Sequence, residues 1–279
     1  MRDFTAPAGI EIGWQQGRPA VGPGIRIDER ATRRLCAMAP VSATPVSPGS
    51  RRIQYWMLNS IVREEDAGRV DPRLCYDFTF LPDRPVGWER TKTFGHSHPK
   101  PGPGRLGFAE VLEILEGTAG FLLHDLLPGP RSTCAALVVG RPGERVIFPP
   151  SLSHASVNLA SGPLVFSDII DRRIVERQLP SDYSQVAAAH GLAYYIDLDG
   201  EAQPNPAYLE VPPLERFTAE EWSGPSPDRP LYRDYVERPG DWDWLHDPDL
   251  FPARFPALWE RVADVVARMD EQLLGGNWR

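Results

Sequence analysis

The chain has 279 residues, of which 42% are hydrophobic, enough to bury a core and too many for wholesale disorder. No apolar run approaches the ~20 residues that cross a bilayer, and Met1 to Phe4 opens no secretory-type apolar segment, so a cytoplasmic protein with no membrane partner is expected. The net charge of −8 falls within residues 201–279, which carry 16 acidic and 8 basic side chains. That balance speaks against general nucleic-acid binding. Cys36, Cys75 and Cys134 are widely spaced with no Cys-x-x-Cys pair, which argues against a disulfide framework or a zinc–thiolate site.

Residues 1–50 form an N-terminal arm rich in turn formers that closes on Pro45 to Ser50. A short helix is expected over Asp28 to Met38. From Arg52 the pattern changes to short β-branched and aromatic runs, Ile53–Val62, Tyr76–Leu81, Thr91–Phe94, Ala109–Leu115, Ala119–Leu123, Ala135–Val139, Arg145–Phe148, Ala155–Leu159 and Leu164–Ile170. Gly, Pro, Asp or Ser clusters separate them, the signature of an all-β sandwich or barrel over residues 51–210. A helix over Ser184–His190 and a strand over Ala193–Leu198 follow. Residues 211–279 make an acidic, aromatic extension. Within it, Leu231 to Asp247 reads as a docked lid or arm. Leu258, Val262, Val265, Val266, Met269 and Leu273 share one stripe of an amphipathic helix over 256–274.

The chemistry concentrates at Gly95-His96-Ser97-His98, with Glu110 beyond a Gly/Pro-rich loop and His154 much later. Residues two apart on a strand share a face, so His96 and His98 present two imidazoles side by side. A third imidazole and one carboxylate would complete a site for a borderline divalent ion such as Fe, Mn, Zn, Co or Ni. Two positions would be left for water or a chelating substrate. His124 reads as a surface or supporting residue, His190 as a helix end, and His246 fits no ligand spacing. Glu113 and Glu116 read as a solvated edge, Glu113 on the face opposite Glu110.

These residues match the two cupin motifs. The first is His96-x-His98, Glu110 and, after six residues, Gly117; the second is Gly143, Pro149, Ser151, His154 and Asn158, with Ser151 in place of the usual Gly. The resemblance implies a cupin double-stranded β-helix, a jelly-roll barrel, with one divalent transition metal per chain held by His96, His98, Glu110 and His154. Eleven residues (Pro99 to Ala109) separate His98 from Glu110, more than in most cupins, which is expected to bring Lys100 and Arg105 beside the metal mouth.

From Gly9 to Tyr208 the chain resembles one cupin family, the metal-dependent phosphoglucose isomerases known mainly from archaea. The matching segments include Gly9-Ile10-Glu11-Ile12, Gln54-Tyr55, Thr93 to Lys100, Ala109-Glu110-Val111, Ser181-Asp182-Tyr183 and Tyr194-Tyr195-Ile196. This resemblance implies a homodimer that interconverts an aldose phosphate and a ketose phosphate, by default glucose 6-phosphate and fructose 6-phosphate, in carbohydrate metabolism. Iron(II) is the foremost metal, with Mn, Zn, Ni or Co as alternatives. Glu110 is implied as proton shuttle through an enediol, with a hydride shift as the rival mechanism. Thr93, Gly95 and Tyr183 are the substrate-binding residues retained. The family's Lys, Tyr and Tyr are replaced by Phe94, Leu112 and Ser151, so the substrate half of the site is redrawn. An Fe(II) dioxygenase and a non-catalytic sugar-binding cupin are the competing readings.

Overall fold

The computed structural model describes residues 2–127 and 130–275, with side chains of the last helix described as far as Met269. In chain order the strands are β1 (Arg2–Asp3), β2 (Ile12–Gln15), β3 (Arg18–Val21), β4 (Ile25–Arg34), β5 (Ile53–Arg63), β6 (Leu74–Leu81), β7 (Glu110–Glu116), β8 (Ala119–His124), β9 (Ala135–Gly140), β10 (Arg145–Phe148), β11 (Ser153–Asn158), β12 (Leu164–Asp171), β13 (Tyr194–Ile196), β14 (Ala202–Pro204) and β15 (Leu214–Thr218). Two sheets make the sandwich, one ordered β10-β7-β12-β6-β5-β4 and the other β11-β8-β9-β15. Among the described residues no helix is long and apolar enough to cross a membrane.

The helix expected over Asp28–Met38 is instead β4 followed by a 3-10 helix, Leu35–Val41. From Ile25 to Arg34 the burial alternates residue by residue, with Ile25, Ile27, Glu29, Ala31 and Arg33 on the more buried face. That period of two matches a pleated edge strand, and nine residues paired with β5 outweigh local helix propensity. The sheets therefore draw on the chain either side of 51–210, taking β4 before it and β15 after it.

Alternation in β6 divides the six-stranded sheet into two environments. Asp77 and Thr79 face inward with Asp168 directly across on β12, whereas Tyr76, Phe78 and Phe80 face outward. Both ends of the chain cover that outer aromatic face. Phe80 packs against Phe4 and Trp14, with ring centroids 6.4 and 5.6 Å away. Tyr76 packs against Tyr232 and Tyr235 of the helix Leu231–Glu237, at 5.2 and 5.6 Å. Full burial of an aromatic of this size contributes about 1.5–3 kcal/mol, so the extension is part of the fold.

Glu113 is accordingly not a solvated edge. It is 2% exposed, accepts the Leu231 N–H at 2.8 Å and faces Arg145, which in turn lies 2.8 Å from Asp234. Glu116 is part-exposed and pairs with Arg2 at 2.7 Å. The final helix, Pro256–Gly275, buries Leu258, Val262, Val265 and Val266, with Met269 partly buried against the core. The side chain of Leu273 lies outside the described residues.

Candidate metal centre

Residues 91–97 run antiparallel to β11. Thr93 N–H donates to the Ser156 carbonyl at 2.8 Å, and His96 and His154 exchange both backbone hydrogen bonds at 3.0 and 2.9 Å. Directly opposed residues share a face, so one cross-strand pair places two imidazoles together and the two-residue spacing adds His98. Gly95, at φ +85°, makes the crook just before His96; a Cβ there would meet the His154 carbonyl at 3.3 Å and Ala155 at 3.4 Å. Glu110 reaches the same point from the other sheet, as the first residue of β7 paired with Phe148 of β10.

The three imidazoles converge through their Nε2 atoms. His96 Nε2 lies 3.1 Å from that of His98 and 3.3 Å from that of His154, and the ligand atoms of all three lie within 4.8 Å of one another. Nitrogens bound ~2.1 Å from one ion are separated by about 3.0–3.4 Å, depending on the angle between them. On two of the three rings the opposite nitrogen is occupied: His98 Nδ1 donates to the Phe108 carbonyl at 3.1 Å and His154 Nδ1 to the Leu152 carbonyl at 3.4 Å. These bonds fix the tautomer that turns the Nε2 lone pairs inward.

Burial pushes His98 down to about 4 and holds His96 and His154 well below the usual imidazole range, with the neighbouring imidazoles adding to the effect. All three are therefore neutral, the ligand form. Glu110 Oε2 lies 3.5 Å from His98 Nε2 and 3.6 Å from His154 Nε2. Burial, with Asp77 beside it, pushes Glu110 up to about 8. Neutral nitrogen donors beside a buried carboxylate fit a divalent cation, which would supply the missing counter-charge.

The cluster opens on a cleft of about 600 Å³. Its walls include His96, Glu110 and Tyr183, and also Arg33, Asp77 and Asp168, which sequence reasoning did not select. Acidic residues at inward positions of two otherwise apolar strands were the available signal for the last two. Burial lifts Asp77 to about 7, and burial with Glu110 and Asp77 lifts Asp168 well above the carboxylate range. Tyr183 lies beside His96, ring centroids 5.1 Å apart.

Thr93 and Gly95 are not among the residues lining this cleft; the Thr93 hydroxyl accepts the Ser156 N–H at 2.9 Å. Neither Lys100 nor Arg105 lines the cleft. Arg105 turns away to pair with Asp247 and Asp249, because the long loop after His98 docks on the C-terminal extension. Among the described residues none of that extension lines the cleft, and Leu231 to Asp247 does not contribute to its walls. His124 is 2% exposed on the face of β8 opposite the metal cluster, with neither ring nitrogen hydrogen-bonded among the described residues. His246 is tied to Asp171 at 2.7 Å.

A two-sheet sandwich that gathers three imidazoles at one end is a cupin with a metal-type site. Within that class, the glucose-6-phosphate isomerase (GPI) family matches residues 38–212, and the chain belongs to it. No curated protein matches the chain. Among solved structures it is similar to an oxalate decarboxylase variant from Bacillus subtilis, with 19% identity and TM-score 0.29 over 42% of this chain and 26% of that one. It is also similar to an oxalate oxidase, with 16% identity and TM-score 0.30 over 42% and 50%. A third is Peruvianin-I, a cysteine peptidase from Thevetia peruviana latex, with 19% identity and TM-score 0.25 over 34% and 48%. The chain spans half or less of the length of each of these structures.

Proposed function

We propose that this protein is a metal-dependent aldose–ketose isomerase acting on a sugar phosphate, with glucose 6-phosphate and fructose 6-phosphate as the default pair. The observation that carries this reading is Glu110, a buried carboxylate at the edge of the imidazole cluster and in the wall of a polar cleft, in a chain of this family. Converting an aldose to a ketose moves a proton from C2 to C1 while the O2 proton passes to O1. A carboxylate that takes the C2 proton and returns it to C1 of the enediol completes that exchange with no other reactant. Glu110 is assigned this role because it stands both beside the imidazoles and in the cleft wall.

His96, His98, His154 and Glu110 would hold the divalent ion, iron(II) foremost, whose contribution when bound is to polarise the substrate carbonyl and the adjacent hydroxyl. Tyr183, beside His96 at the cleft wall, is assigned to substrate contact. The test is a screen of sugar phosphates for isomerisation by the metal-loaded protein, run in deuterated water. Solvent deuterium at the migrating position supports proton transfer through Glu110, and complete retention of the original hydrogen indicates a hydride shift instead. Glu110→Gln should abolish turnover while keeping part of the metal, because an amide coordinates weakly and cannot shuttle a proton. Near-normal activity of that variant in excess metal would exclude Glu110 as the base.

A further inference from the structure

The cleft separates charge in a way that proton transfer does not require. Glu29, Asp77, Glu110 and Asp168 line it, and Arg33 and Arg177 are the cations in the same wall. Arg177 is 75% exposed at its side chain and is taken by Glu29 at 3.0 Å. Arg33 is placed differently. It is half-buried, its Nε donates to the Tyr55 hydroxyl at 3.2 Å, and its guanidinium carbon lies 5.3 Å from the Phe94 ring centre and 5.4 Å from that of Tyr183.

Among the described residues no carboxylate pairs with Arg33, although four carboxylates share its cleft. Two aromatic faces and two phenols fix the guanidinium plane, and none of them supplies the counter-charge that a partly desolvated arginine ordinarily finds. A guanidinium carries five N–H donors in a forked array suited to an oxyanion, and its partners here are the neutral phenols of Tyr55 and Tyr183. Tyr183 stacks on His96 as well as on Arg33, so this array borders the imidazole cluster. Farther across the same sheet the lining turns acidic, with Asp77 on β6, Asp168 on β12 and Glu110 on β7. It repels an anionic group and can accept hydrogen bonds from hydroxyls; Asp168, 6% exposed, has no hydrogen-bond or ion-pair partner among the described residues.

We infer that Arg33 is the anion anchor of the cleft: its guanidinium takes the phosphate of a phosphorylated sugar, and the hydroxylated carbons lie along the carboxylate wall. This rests on the isomerase reading for the identity of the ligand, but not for the existence of the anchor. Phe94 then has a function of its own, since it replaces the family's lysine and forms one of the two faces that hold Arg33.

The test compares metal-loaded wild type, Arg33→Gln and Arg33→Lys, after circular dichroism and metal analysis show fold and metal content unchanged. Calorimetric titration with inorganic phosphate should give affinity about 10- to 100-fold weaker in Arg33→Gln, the loss expected for a charge-assisted forked contact, with part recovered in Arg33→Lys. KM for the phosphorylated sugar should rise by a similar factor, while inhibition by the neutral sugar stays the same. Phosphate affinity that is undetectable in wild type, or equal in wild type and Arg33→Gln, overturns the assignment. Weakened binding of an aldonate with unchanged binding of phosphate would show that the anchor takes a carboxylate, and the phosphate assignment would fall. If no sugar phosphate is isomerised, the phosphate titration still decides Arg33, because its readout is not activity.

Discussion

Replacing Ser151 by glycine would restore the usual residue of the second cupin motif, and the structure makes that replacement costly. Ser151 has φ +71°, the left-handed region where a non-glycine residue loses about 1–2 kcal/mol. Glycine would recover that strain, but ordering a glycine on folding costs about 0.4–1 kcal/mol more than ordering a residue with a Cβ, so the two effects largely offset each other. What is left is a hydrogen bond. Ser151 Oγ accepts the buried N–H of Gly107 at 3.1 Å, and orphaning such a donor costs about 1–3 kcal/mol. That bond pins the end of the long loop after His98, one residue before Phe108, whose carbonyl holds His98 Nδ1 at 3.1 Å.

Ser151→Gly should therefore lower Tm by about 2–12 °C and weaken metal affinity by up to ~10-fold through a loosened His98. Ser151→Ala, which keeps the strain and loses the bond, should be at least as unstable. Scanning calorimetry on metal-free protein and a competitive chelator titration measure the two effects. A Ser151→Gly protein as stable as wild type, with unchanged metal affinity, would refute the claim that the hydroxyl anchors this loop.

The protein as purified should contain about one divalent transition metal per chain, and a His96→Ala/His154→Ala variant should lose most of it by elemental analysis; stoichiometric metal in the double variant would falsify the ligand assignment. His124→Leu should stabilise the protein by about 1–3 kcal/mol, since it removes a buried imidazole with two unpaired nitrogens. Burial pushes His124 down to about 4 from 6.5, so the unfolded chain takes this proton first as pH falls. The wild type should thus lose stability relative to the variant by about 1.4 kcal/mol per pH unit between 6.5 and about 4, and parallel urea-unfolding curves across that range would contradict it. Deleting residues 211–279 should give an aggregating protein, because it uncovers Tyr76 and leaves Glu113 and Arg145 without Leu231 and Asp234; a soluble, cooperatively folding remnant in light scattering and thermal melts would show the extension to be separable.

Much of the metal half of the site was legible because strand chemistry is local. Two histidines two residues apart on an extended segment must share a face, and the motif spacing brings in His154 and Glu110 without knowledge of register. The strand runs were legible for the same reason, since β-branched and aromatic runs broken by turn formers mark extended chain. Asp28 to Met38 misled because Leu35, Cys36 and Met38 suggest a helical side, while the alternation that decides for β4 lies in weak signals, Ala31 and Thr32 among arginines.

What the sequence by itself determined about this protein is the all-β sandwich, the convergent histidines with Glu110, and the amphipathic final helix, each set by periodicity within a few residues. Only the tertiary structure decided which surfaces face one another. It buried Glu113 under residues 118 positions away in sequence and turned Arg105 from the metal mouth to Asp247 and Asp249. It also set Asp77 across from Asp168, with Arg33 in the same cleft wall and no carboxylate on it. These outcomes depend on strand register and on where two chain ends dock. Shifting register by one residue turns every side chain of a strand to the other face, and no local pattern in this chain states which way that choice falls.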